Sequence, residues 1–207
     1  MKALFYDTET TGLPLFDQPS EDPRQPHIVQ LAAALVDLES RRRVASIDLT
    51  IRPDGWLVPD EVAAVHGITT AEADAVGVPE SMALEMFLEL HSRANVRIAH
   101  NEAFDARIVR IAIKRLLGDE DGLSDDWHES PAECTARMST PILALPPSAR
   151  MRAAGRRHHK TPKLSEAYQF FMGRDLDGAH NAMVDVDACI EVYFAMRAPS
   201  RIQREAP

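Results

Sequence analysis

Asp7 and Glu9 stand two residues apart at the end of a short apolar run, Ala3-Leu4-Phe5-Tyr6. If that run is a strand, side chains at this spacing leave by the same face. Two carboxylates side by side repel one another, and burial raises their pKa further. A divalent cation removes the conflict. Mg²⁺ takes oxygen ligands and commonly uses one or two carboxylates plus a substrate phosphate. Taken alone, Asp-x-Glu is a weak signal that an ordinary polar strand end explains better.

A second pattern strengthens the chemical reading. His100-Asn101-Glu102-Ala103-Phe104-Asp105 and His180-Asn181-Ala182-Met183-Val184-Asp185 share the form His-Asn-x-x-x-Asp. In each, Asn is a natural helix N-cap, and the Asp falls in the first turns, where the helix dipole favours an anion. The His precedes the cap, at the position that meets the fourth helical residue in a hydrophobic staple, so each His can lie near its Asp. Four carboxylates converging in space could hold two divalent ions, which clamp the attacking and leaving oxygens of an in-line phosphoryl displacement. The proton of the attacking water needs a base, and a histidine titrating near neutrality suits that task. Residue type does not choose between His100 and His180.

The elements that must bring these residues together are legible in outline. Ala3 to Tyr6 reads as a short buried strand, His27 to Leu38 as a central strand, and Val44 to Ile51 as a third, with a turn at Ser40 to Arg43. Leu13 to Pro26 holds four prolines and several acids and reads as a loop. Short helices are expected from Pro59 to Val65, stopped by Gly67, and after Thr69. An apolar helical stripe runs from Pro79 to Arg93, a strand from Val96 to Ala99, and a strong helix from Asn101 to Leu117. Gly118 to Ser130 reads as an acidic loop containing an unexplained Trp127, and Pro131 to Leu145 as helical. The segment from Ser148 to Lys163 carries six Lys/Arg, two His and no acid, and reads as a mobile loop. Helices at Leu164 to Met172 and Asn181 to Met196 complete the domain, 1–197, before a tail, 198–207, expected to be disordered. Strands first and helices later suggest a mixed sheet covered by helices.

The chain has 207 residues, 45% apolar and 27% charged, which suits one globular domain. No apolar run approaches the roughly 20 residues of a membrane span, and the apolar N-terminal stretch is too short for a signal peptide. Two cysteines, Cys134 and Cys189, give no disulfide framework and point to a reducing, cytoplasmic compartment. The formal net charge of −9 argues against a passive nucleic-acid coat, which would present a broad basic surface. It leaves room for an enzyme that meets phosphates through bound cations.

On three motifs the sequence resembles the DEDD exonucleases, specifically the DEDDh branch that includes the proofreading epsilon subunit of bacterial DNA polymerase III and ribonuclease T. The motifs are Asp7-Thr8-Glu9-Thr10-Thr11-Gly12-Leu13, His100 to Asp105, and His180-x-x-x-x-Asp185. The resemblance implies an α/β, ribonuclease-H-like fold with a five-stranded mixed sheet flanked by helices. It implies two Mg²⁺ or Mn²⁺ ions on Asp7, Glu9, Asp105 and Asp185, with Asp7 bridging, and His180 as general base. His100 then becomes structural and Asn101 lies near the substrate. Pro59 to Thr69 is similar to the epsilon segment that binds the terminal nucleotide, which makes Glu61 and His66 contacts of the 3′ residue. Thr10 and Leu13 would line the same pocket, while Thr8, Thr11 and Gly12 serve the turn. The implied activity is removal of nucleoside 5′-monophosphates from a free 3′ end, in preference single-stranded DNA, with a DNA polymerase or repair protein as a possible partner. The alternatives are ribonuclease T-like action on RNA, a polymerase-associated binding subunit without catalysis, and an endonuclease on the same fold.

Overall fold

The computed structural model of the chain describes residues 1–118 and 122–198. Of the expected tail only Ala198 falls inside those bounds; the rest, with part of the acidic stretch, lies outside the described residues.

Five strands form one sheet: β1 (Lys2–Thr10), β2 (Ile28–Asp37), β3 (Arg42–Thr50), β4 (Val96–Ala99) and β5 (Ala132–Cys134). Their order is β3-β2-β1-β4-β5. β1–β2 and β2–β3 are antiparallel, while β1–β4 and β4–β5 are parallel. β2 is an almost unbroken apolar run because both its faces are covered. Nine helices are described: α1 (Asp60–His66), α2 (Thr70–Val76), α3 (Glu80–His91), α4 (Glu102–Leu116), α5 (Leu123–Glu129), α6 (Thr135–Leu143), α7 (Ala149–Ala153), α8 (Leu164–Met172) and α9 (Ala182–Arg197).

The period-2 alternation of the strands sorts their side chains into two cores. Leu4, Tyr6, Leu31 and Leu35 face α3 and α4, with Phe87, Ile108 and Trp127. Ala3, Phe5, Ala32 and Val36 face α9, with Val186, Cys189 and Tyr193. The expected mixed sheet flanked by helices is therefore the observed one.

Four expectations need correction. β1 does not stop at Tyr6 but runs to Thr10, since antiparallel pairing with β2 continues to Thr10↔Ile28. The expected acidic loop contains α5, because Trp127 is only 2% exposed and pins it. Its indole Nε1 donates to the Ala106 carbonyl at 2.9 Å, and the Arg97 guanidinium stacks over its ring. The expected helix from Pro131 begins instead with β5, a three-residue strand too short to show a period. The basic segment is not simply a loop: it carries α7, capped by Ser148, whose side chain accepts from the Met151 N–H.

Candidate active site

The carboxylates gather where β1 outruns its parallel neighbour. β4 pairs with β1 only over Ala3–Phe5, whereas β2 accompanies β1 to its end. Beyond Phe5 one edge of β1 is therefore open, and its backbone donors there need partners. Asp105, in the first turns of α4, supplies one. Its Oδ1 accepts from the Thr8 backbone N–H at 3.0 Å and from the Thr8 hydroxyl at 2.7 Å. Thr8, assigned to turn geometry from the sequence, thus positions Asp105, a role that needs the register of β1 against α4 to be seen.

Asp7 and Glu9 point to the other face, toward α9. Gln30, opposite Glu9 in the β1–β2 register, holds that helix in place. Its Oε1 accepts from the Ala182 N–H at 3.0 Å, satisfying one of the free donors at the start of α9. Asn181 caps the same end by accepting from the Val184 N–H at 3.3 Å. His180 adopts φ 67°, the left-handed region, and its N–H donates to Asp185 Oδ2 at 3.2 Å. One ligand atom each from Glu9, His180 and Asp185 lies within 4.8 Å of the others.

The two His-Asn-x-x-x-Asp motifs fold differently. Asn101 does not cap α4 through its side chain; it takes the left-handed conformation itself at φ 69°. Asn tolerates that region better than most residues. His100 turns away from Asp105. Its Nδ1 lies 3.0 Å from Thr135 Oγ1 and its Nε2 3.1 Å from the Pro162 carbonyl oxygen. Burial lowers its pKa. Local spacing alone made the two histidines equivalent; tertiary partners separate them.

The electrostatics of the cluster are those of a cation site. Burial raises the Asp7 pKa well above its ordinary value, and Asp105, Asp185 and Glu9 push it further. Glu9 is pushed up to about 7 by burial and by Asp185. Asp105 is pushed up to about 7 by burial, against the opposing pull of the Thr8 hydrogen bonds. Asp185 is raised by burial, and its Oδ1 is buried with no hydrogen-bond partner. A buried, unpaired carboxylate oxygen among other carboxylates is costly in a bare protein. Hard divalent cations take such donors, so the residues fit the metal chemistry expected of them.

The other expected substrate residues surround this cluster unevenly. Thr10 is buried, and its hydroxyl donates to the Gly12 carbonyl at 2.7 Å, closing the turn after β1. Leu13 is 76% exposed. Glu61 is exposed in the first turn of α1. His66, at the end of α1, accepts from the Ile68 N–H through Nδ1 at 3.1 Å. Its Nε2 is buried without a partner, and its pKa is lowered by burial and by the neighbouring His180.

A mixed five-stranded sheet with acids gathered at one end of its central strand defines a nuclease-type domain of the ribonuclease-H-like class. The exonuclease family model (RNase_T) matches residues 4–193. The chain belongs to this family, the DEDD-type 3′→5′ exonucleases. No curated protein matches it. Among solved structures it is similar to E. coli exonuclease I in complex with a dT13 oligonucleotide, with 22% identity and a TM-score of 0.68. That match covers 98% of this chain and 42% of the other. The zinc-bound form of the E. coli exonuclease I–ssDNA complex gives 19% identity and 0.69, over 98% and 41%. Exonuclease I from Methylocaldum szegediense gives 21% and 0.67, over 99% and 41%. At these identities the likeness establishes the fold, and the chain spans about two-fifths of the proteins it resembles.

Proposed function

We propose that this chain is a metal-dependent 3′→5′ exonuclease of the DEDDh type, acting on single-stranded DNA. The observation that carries the reading is the unpartnered Asp185 Oδ1 set beside Glu9 and His180, with Asp105 and Asp185 close enough to Asp7 to raise its pKa beyond the effect of burial. Asp7, Glu9, Asp105 and Asp185 would hold two Mg²⁺ or Mn²⁺ ions. Bound, these would stabilise the charge that develops on the attacking and leaving oxygens.

The chain's own residues do the rest. His180 takes the proton of the attacking water; its backbone bond to Asp185 ties the base to the ligand shell. Thr8 fixes one oxygen of Asp105 and leaves the other for the site. His66 accepts from Ile68 through Nδ1, so its neutral ring carries the proton on Nε2. That N–H is a fixed donor beside His180, suited to an oxygen of the terminal nucleotide. Glu61 and Asn101, both exposed, and Leu13, an apolar surface for the last base, complete the proposed contacts.

DNA takes precedence over the ribonuclease T-like alternative because the two E. coli exonuclease I structures named above are complexes with single-stranded DNA. They offer no support for a polymerase partner. The test uses 5′-labelled DNA and RNA oligonucleotides, single- and double-stranded, digested with Mg²⁺ by wild type and Asp7→Ala. A ladder shortening from the 3′ end, fastest on single-stranded DNA and absent in the variant, is expected. Cleavage of a circular single strand would overturn the exonuclease reading in favour of an endonuclease.

A further inference from the structure

The basic segment between α6 and α8 is built into the catalytic end of the fold. Its base is closed by a backbone bond from the Lys160 N–H to the Leu145 carbonyl at 3.0 Å. Lys160 also pairs with Glu166, whose other oxygen accepts from the Lys163 N–H at 2.8 Å. Between these bonds lies Pro162, buried, its carbonyl held by His100. His100 immediately precedes Asn101 and the helix that carries Asp105. Its other nitrogen bonds Thr135, whose hydroxyl lies 3.4 Å from Cys189 Sγ, on the helix that carries Asp185. One histidine thus fastens the root of the strap to both helices of the candidate site.

The outer part of the strap is free. Arg150, Arg152, Arg156, Arg157, His158 and His159 are all exposed. Among the described residues none of the four arginines has a carboxylate partner, and Arg152 bonds only the Pro147 carbonyl. In a chain of net charge −9 this is a concentrated cationic surface with no acid from 148 to 163. It carries no Phe, Tyr or Trp ring; its only aromatic groups are the small imidazoles of His158 and His159.

We infer that the strap is a backbone track: it holds the phosphates of the polynucleotide strand 5′ of the residue being removed. The inference rests on the exonuclease reading. Phosphates are the ligand the surface fits, because unpaired guanidiniums match them bidentately. Without a Phe, Tyr or Trp platform and without base-reading Asn or Gln amides, the contact is carried by charge and is sequence-independent and salt-sensitive.

The test compares wild type with the triple variant Arg150→Gln/Arg156→Gln/Arg157→Gln, which spares Arg152, and with the matching Arg→Lys triple. Binding of a fluorescein-labelled, phosphorothioate-linked oligo-dT is followed in Ca²⁺ across a salt series. Each single-strand phosphate that is no longer neutralised lowers the salt slope by about 0.7, so the Gln triple should forfeit roughly 2 units of slope and about tenfold or more in affinity at low salt. The Lys triple should retain most of both. In turnover with Mg²⁺ the Gln triple should show a raised KM on the unmodified oligonucleotide, yet wild-type rates on the p-nitrophenyl ester of thymidine 5′-monophosphate, which is too small to reach the strap. Unchanged affinity and slope in the Gln triple overturn the inference, and would leave an acidic protein as the partner of this surface. If wild type hydrolyses neither substrate, the exonuclease reading fails, and the binding series still judges the strap separately.

Discussion

Asp105 depends on a single threonine for its orientation. Thr8→Val keeps the shape but removes the hydroxyl, leaving the backbone N–H as sole donor. The loss should cost about 1.5–3 kcal/mol of stability in urea denaturation, the range for a hydrogen bond to a charged group. The two histidines should separate cleanly by assay. His180→Ala should slow turnover by about 10² to 10⁴, the size of a general-base contribution, with little change in Tm. His100→Ala should lower Tm by removing the bonds to Thr135 and Pro162, and affect turnover less. If His100→Ala is the more damaging to kcat, His180 is not the base.

At the scale of elements, short segments position the site through a few buried anchors. α5 has seven residues and would not hold alone in water. Trp127 keeps it against α4 by its indole bond and by edge-on packing with Tyr6 and Phe87. Trp127→Ala should cost about 3–5 kcal/mol, the range for emptying a buried aromatic site. It should also loosen the buried Arg97–Glu102 pair beneath it, which bonds at 2.8 Å. Chemical denaturation checks the first, and amide exchange across α5 and the start of α4 the second. Much of this scale was readable beforehand. β4 announces itself as a short apolar run, α4 by its apolar stripe and α9 by the Asn181 cap. β5 and α5 do not, because three and seven residues carry too little pattern and owe their form to the sheet edge and to Trp127.

For the whole molecule, the buried acids tie stability to pH and to cations. Glu9 and Asp105 have folded pKa values near 7, raised above the roughly 4 of an unfolded chain. A raised carboxylate pKa means the folded state binds the proton more tightly. Their contribution is therefore full below about pH 4 and is lost as pH rises through about 7. In EDTA the Tm should fall between pH 5 and pH 8, beyond any change in a Glu9→Gln/Asp185→Asn variant. Mn²⁺ or Mg²⁺ should restore it at the higher pH in wild type and not in that variant, since a ligand that binds only the native state stabilises it. A metal-free protein with a flat profile would mean the carboxylates do not share one buried cluster.

The order and spacing of the acids, the apolar first strands and the capped helices were present in the linear chain, because they depend on residue type and local periodicity alone. Three matters were decided only by folding. Which histidine faces the acids was one: both motifs have the same spacing, and only Thr135 and Pro162, far along the chain, turn His100 aside. Thr8 became a partner of Asp105 because β4 ends early and leaves the β1 edge open. The basic segment acquired a place beside the site for the same kind of reason. Contacts between residues distant in sequence leave no periodic trace, so they exist only once the sheet and its helices have closed around them.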